Sequence, residues 1–280
     1  MPHHAYPVTS YLVIAAILYC GAQALQMGTG AARLAGVRSK RVATGLTLFN
    51  LFATTSRMLN LIYAPLMGAL IDVSRRLGDV AGFERDLRII IAAATVGAMI
   101  GGALTPTFAV LLQRGITSFE RHGSLVWAIG RLARPTTFRS AVAEFRMPEL
   151  RMLRYSPASI PKPFLIWNIV VMAFWVAGPL SAFFAGVIDP KVTGTALLLS
   201  GLITGVATIT LTLVVDPTAA VITDQAALGM RPEHDIKAML LYLVLSAIAG
   251  TLLAQLLLRP AAELIVTVAR FLVDHGLQHA

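Results

Sequence analysis

The chain has 280 residues, 56% of them hydrophobic and 13% charged, whereas a soluble domain carries roughly 25% charged residues. With a mean hydropathy of +0.73, this composition excludes a soluble enzyme, a disordered protein and a secreted disulfide scaffold, and it assigns the chain to a membrane. The net charge of +9 does not indicate nucleic acid. Lys and Arg lie in loops between apolar blocks, where they fix orientation and meet anionic lipid.

Residues 5–32 form the first uncharged run. No Lys or Arg precedes it and it is long, so it reads as a span and not as a cleaved signal. The single Cys20 within it has no partner for an intrachain disulfide. Residues 42–71 are apolar except for Arg57 near the middle. As a helix they would extend about 45 Å at ~1.5 Å per residue, against a hydrocarbon core of ~30 Å. The block is either strongly tilted or broken near Pro65 and Gly68. Runs at 89–113, 163–188, 192–215 and 238–258 each reach the ~20 residues a crossing helix needs. The expected fold is all-α and polytopic, with about six transmembrane helices.

Residues 114–162 carry nine basic and three acidic residues. Leu125, Ile129 and Leu132 recur there at helical spacing, which suits amphipathic helices on the membrane surface. The loop either supplies positive-inside charge alone or gathers anionic headgroups. With six crossings, one side of the membrane receives 15 Lys and Arg and the other 7. The richer side is expected to be cytoplasmic, which places both termini outside.

The chain also repeats itself. Pro65 to Asp72 and Pro217 to Asp224 each place an aspartate seven residues after a proline at the end of an apolar block. Glu84-Arg-Asp-Leu-Arg88 is then answered by Glu233-His-Asp-Ile-Lys237. The offsets are 152 and 149 residues. Three spans per half is an odd number, so the second half would enter the membrane upside down, the inverted-repeat plan of many secondary transporters. The organisation expected is a first membrane repeat at 1–113, a basic loop at 114–162, a second repeat at 163–260 and an amphipathic tail at 261–280. Gly97-x-x-x-Gly101 and Gly201-x-x-x-Gly205 would permit close helix packing. Pro217 would end or kink the fifth span.

Arg57 is the most informative residue, because a charge in mid-membrane costs several kcal/mol and usually faces a polar cavity or partner. Asn50, Thr54, Thr55, Ser56 and Asn60 give its helix a polar stripe. Arg57 either pairs with Asp72 or Asp216 as internal glue or lines a cavity for an anionic substrate, since a guanidinium fork suits phosphate. Asp72, Asp216 and Asp224 are interfacial charges, or gate partners for Arg33, Arg57 or Lys237, or a proton or cation site. No catalytic, metal or cofactor signature is present: there is no Walker A loop. Gly28-Thr-Gly30 is followed by Arg33 where a dinucleotide loop needs glycine. His275 and His279 stand at the tail without further ligands.

Arg33-Leu-Ala-Gly-Val-Arg38, then Leu48-Phe-Asn50, Ser56-Arg57, Asn60, Ala64-Pro65-Leu66, Gly68 and Asp72, and later Asp216-Pro217 and Asp224, resemble the Amj family. These are the "alternate to MurJ" lipid II flippases of bacteria. The resemblance implies a multi-pass protein of the bacterial cytoplasmic membrane that moves undecaprenyl-diphosphate-linked peptidoglycan precursor to the outer leaflet. Lipid II and membrane lipids would be its partners. It implies Arg57 for the diphosphate, Arg33 at the cytoplasmic mouth and Asn60 as a headgroup hydrogen-bonding partner, with Asp72, Asp216 and Asp224 in gating or coupling. An ion-coupled transporter of another anionic substrate and a membrane scaffold for cell-wall enzymes are the alternatives.

Overall fold

The computed structural model describes residues 5–122 and 160–277. Among them are seven α-helices and no strand: α1 Ala5–Arg38, α2 Val42–Leu77, α3 Val80–His122, α4 Lys162–Ile188, α5 Thr193–Thr210, α6 Asp216–Ala227 and α7 Glu233–Leu277. A 3₁₀ turn at Pro190–Val192 leads into α5, and a π-helical segment at Leu211–Val215 joins α5 to α6. The surface helices expected around Leu125, Ile129 and Leu132 lie outside the described residues.

Five segments are long and apolar enough to cross a membrane: Ser10–Arg38, Val80–Thr117, Lys162–Ile188, Pro190–Ala227 and Glu233–His275. The chain is an all-α, multi-pass membrane protein. α2 falls short on apolarity because Arg57, Asn60 and Asp72 dilute it, yet it runs antiparallel along α1. Gly45 sits against Gly36, the Ser56 hydroxyl donates to the Ala22 carbonyl at 2.8 Å, and the Tyr63 and Tyr19 rings lie 4.9 Å apart. The break considered near Pro65 and Gly68 does not occur: Pro65 lies inside one continuous helix. A membrane helix tolerates the missing ladder bond when a neighbour supports it.

Two helices overrun the spans read from hydropathy. α3 begins nine residues before Ile89, and α7 continues past Leu258 and Pro260 to Leu277. Pairs one turn apart hold these charged ends in helical form, Arg88–Glu84 at 2.7 Å and Arg259–Glu263 at 3.1 Å. Nor does Asp216-Pro217 end the fifth span. The π segment precedes it, and the helix continues to Ala227.

Each half is built alike. α1 lies between α2 and α3, α4 lies between the α5–α6 rod and α7, and α3 meets α7 across the molecule. Lipid tails are as apolar as leucine, so packing fit rather than water exclusion holds such helices together. A Cβ at Gly101 of α3 would come within 2.4 Å of the Ala24 carbonyl oxygen in α1. One at Gly250 of α7 would come within 2.6 Å of the Ile169 carbonyl oxygen in α4. Gly201 and Gly205 differ from the close packing expected of them, because an added Cβ at either meets nothing within 4 Å. Gly78 and Gly229, at φ 67° and 74°, close α2 and α6 in the left-handed conformation that glycine adopts at least cost.

The core has two layers. Leu48, Ile116, Phe164 and Met239 form one at the end bearing Arg38 and Lys237, here the basic end. Met67, Phe83, Leu180 and Leu258 form the other at the far end, and Met27, Ala98, Met172 and Ala247 fill the middle.

Candidate functional site: a charged groove between two helices

Arg33 lies five residues before the end of α1, inside the basic half. Its Nη2 donates to Asp216 Oδ1 at 2.8 Å, and its side chain is 11% exposed against 36% for the aspartate. The guanidinium also stacks on the Phe49 ring of α2, 4.5 Å from its centre. The Asp224 carboxylate, two turns further along α6, acts on it from that side. Of the gate partners that the sequence offers for Asp216, Arg33 is the direct one.

A π segment directly precedes Asp216. Its wider turn stretches the eight residues from Thr208 to Asp216 over roughly two whole turns, where a regular helix would overshoot to about 2.2. Asp216 therefore returns to the face that carries Thr208, and Pro217 starts α6 immediately after it.

Arg57 stands on the exposed side of α2. Among the described residues it has no ion-pair partner, but its charge reaches the Asp216 carboxylate, which feels Arg33 first and Arg57 second. α2 and α6 share no extended contact. Arg33 of α1 bridges them, stacked on Phe49 of α2 and hydrogen-bonded to Asp216 of α6. The buried Oδ1 of Asn60 has no hydrogen-bond partner. Asp72, exposed near the far end of α2, lies 15 residues or roughly 22 Å of helix from Arg57. It does not join the cluster. Lys237 does not join it either, because it pairs with Glu233 at 3.1 Å, and Glu233 also accepts from Arg38 at 2.9 Å.

Behind the Arg33–Asp216 pair is a cavity of about 70 Å³ between the two halves. Gln26, Thr29, Thr105 and Asn168 are the uncharged polar residues of an otherwise apolar lining, and Val215 of the π segment closes one side. The amide of buried Asn168 donates to Ser246 Oγ at 2.5 Å.

The far end is tied across the halves by Arg75 and Arg88, and within the second half by Arg270. Arg75 of α2 donates to the Gly186 carbonyl and the Thr193 hydroxyl. Arg270 of α7 donates to Asp189 at 2.6 Å, and that hydrogen bond holds the Asp189 carboxyl below the usual carboxylate range. Arg88 and Gln255 exchange backbone carbonyl bonds at 3.0 and 2.9 Å.

Sequence reasoning missed Phe49, Asn168 and the π segment. Asn168 was a legible signal, as the polar residue of an otherwise apolar run. Phe49 and the π turn had none, since an aromatic and a stretch of Leu, Thr and Val suit any lipid-facing helix.

The family model described as "Amj: Alternate to MurJ" matches residues 24–269. A relative from Bacillus subtilis (strain 168), named lipid II flippase Amj, is 34% identical over 243 residues, covering 86% of this chain and 90% of its own. No solved structure matches the chain.

Proposed function

The chain belongs to the Amj family, and from that premise we propose that it is a lipid II flippase of the bacterial cytoplasmic membrane, not an enzyme. The observation that carries the reading is the Arg33 cluster. Arg33 is held by Asp216 of α6 and stacked on Phe49 of α2 in the basic half, and Arg57 stands exposed about two turns further along α2. We read the space between α2 and α6 as a groove open to lipid. By the positive-inside count the basic half faces the cytoplasm. A lipid in the inner leaflet could then place its diphosphate on Arg33 and Arg57 while its tail stayed among neighbouring tails.

In this reading Asp216 holds Arg33 until substrate arrives. A diphosphate offers more charge and more acceptor oxygens than one carboxylate, and a guanidinium binds it in a fixed fork. It displaces Asp216, and the freed carboxylate is repelled by the phosphates. That repulsion acts on α6 and the π segment, the least enclosed part of the bundle. Asn60 then supplies a hydrogen-bond acceptor for the headgroup. Asp224 marks the basic end of the path and Asp72 the far end.

Alternating access would use the two halves as an inverted repeat. In support, Gly101 packs on Ala24 and Met27 as Gly250, 149 residues on, packs on Ile169 and Met172, each 145 residues on from its counterpart. Gly78 and Gly229 end corresponding helices 151 residues apart.

The test is complementation of a strain depleted of its lipid II flippase, with lipid II exposed at the outer surface as readout. Wild-type protein should restore exposure, and inserted Arg57→Ala protein should not. Full exposure with Arg57→Ala at normal expression would remove Arg57 from the site.

A further inference from the structure

We infer that Arg75, in the last turn of α2, is the gate at the far end of the crossing. Its guanidinium latches α2 to the turn between α4 and α5, and that latch releases when the far end opens. The inference rests on the flippase reading and names the contact that alternating access has to break on that side.

The latch follows from the sequence at the end of α4. In a helix the Gly186 carbonyl would accept from the N–H of residue 190, which is Pro190 and has none. Two other donors take its place. The Thr193 hydroxyl, at the start of α5, reaches it at 3.1 Å. Arg75 reaches it from the other half of the molecule, with Nε at 3.0 Å, and Nη2 of the same guanidinium also meets the Thr193 hydroxyl. The dipole of α4 favours a cation at this C-terminus as well. The carbonyl 151 residues earlier, that of Ala35 near the end of α1, accepts from the Ser39 N–H and hydroxyl of its own segment. That end has no need of such an arginine.

The position suits a gate. α3 and α7 join the halves along a seam, through Gly102 against Val244, Thr95 against Thr251 at 3.0 Å and Arg88 against Gln255. α2 stands outside this seam. Among the described residues, α4 is the helix of the second half with which α2 shares extended contact. Tyr63 meets Phe183 edge-on at 6.3 Å, and Arg75 meets Gly186 about three turns further along α2. Met67, fully buried, lies between those two points. Parting α2 from α4 therefore uncovers Met67 and leaves the seam whole.

Arg75 can leave without stranding a charge. The Gly186 carbonyl then keeps the Thr193 hydroxyl as its donor, and a guanidinium in the last turn of a helix can turn to water and headgroups. Arg33 and Asp216 differ, because parting them leaves two poorly solvated charges unless another ion takes their place. The basic end thus opens to a competing anion, whereas the far end is held by neutral acceptors alone.

Single cysteines in a Cys20→Ala background test the gate in purified protein in lipid nanodiscs, with a charged water-soluble thiol reagent. Met67→Cys should react slowly, and adding Arg75→Ala should speed it by about tenfold, the equivalent of one charged hydrogen bond. Arg75→Lys keeps the charge and loses the fork. It should speed the reaction less, and it carries the comparison if Arg75→Ala does not fold. Ala219→Cys, buried in the core layer at the basic end, should not speed up, because a released latch opens one end and a loosened fold opens both. An unchanged rate at Met67→Cys, or equal gains at both positions, would overturn the gate. In the depleted strain, joining Arg75→Cys to Thr193→Cys with a short cleavable bifunctional thiol reagent should stop lipid II exposure, and cleavage should restore it. Exposure that continues through the cross-link would remove the gate and leave the flippase reading standing. Wild-type protein that exposes no lipid II would remove the flippase reading itself.

Discussion

At the scale of single residues, the site is decided by which arginine holds Asp216. Arg33 is its direct partner and is nearly enclosed, so removing one member leaves a poorly solvated charge. That costs about 1–3 kcal/mol or more. Asp216→Ala should therefore lower thermal stability, and Arg33→Ala/Asp216→Ala should recover part of the loss without restoring transport. A double mutant no more stable than Asp216→Ala would show that the pair contributes nothing to folding. Arg57 behaves differently, because no ion pair ties it down. Arg57→Ala should leave expression and melting temperature unchanged and reduce lipid II exposure by about 10- to 100-fold, the equivalent of one charged hydrogen bond. Arg57→Lys should retain more activity, since it keeps the charge and loses only the fork.

At the scale of elements, the π segment is a register device. Removing Leu213 should convert Leu211–Val215 to regular helix and leave Asp216 facing Arg33, because seven residues then span about 1.9 turns. Removing Leu213 and Val214 together should instead turn Asp216 by about 100°, and transport should fall to the level of Asp216→Ala while the single deletion keeps it. Activity that survives the double deletion would show that the rotation is irrelevant. The glycines of α3 and α7 act through packing instead. Gly101→Leu and Gly250→Leu drive a side chain into a carbonyl of the neighbouring helix and should each prevent stable insertion, whereas Gly201→Leu should be tolerated in folding. The contrast is measured by detergent melting curves.

At the scale of the molecule, the far end is joined across the halves by Arg75 and Arg88, and the Arg33 cluster lies toward the basic end. If that side is cytoplasmic, a cysteine at Met230 should resist an impermeant reagent in intact cells. A cysteine at Leu77 should react, because both positions are exposed and they lie at opposite ends. The reverse pattern would invert the topology and point the groove at the outer leaflet.

The sequence by itself determined the membrane class, the all-α fold, the span count within one helix and the family. It could do so because hydropathy and charge position are one-dimensional properties that lipid enforces on every span. Only the tertiary structure decided that Arg33 and not Arg57 pairs with Asp216, and that Asp72 stands apart. It also decided that Gly97 and Gly101 pack while Gly201 and Gly205 do not. Those outcomes depend on which helix lies opposite which. A lipid-facing stripe and a groove-facing stripe have the same periodicity, so the pattern along one helix does not reveal what its neighbour leaves open. The π turn belongs to the same class. Leu, Thr and Val suit an α-helix equally well, so nothing in the residues themselves marks the wider turn at Leu211–Val215.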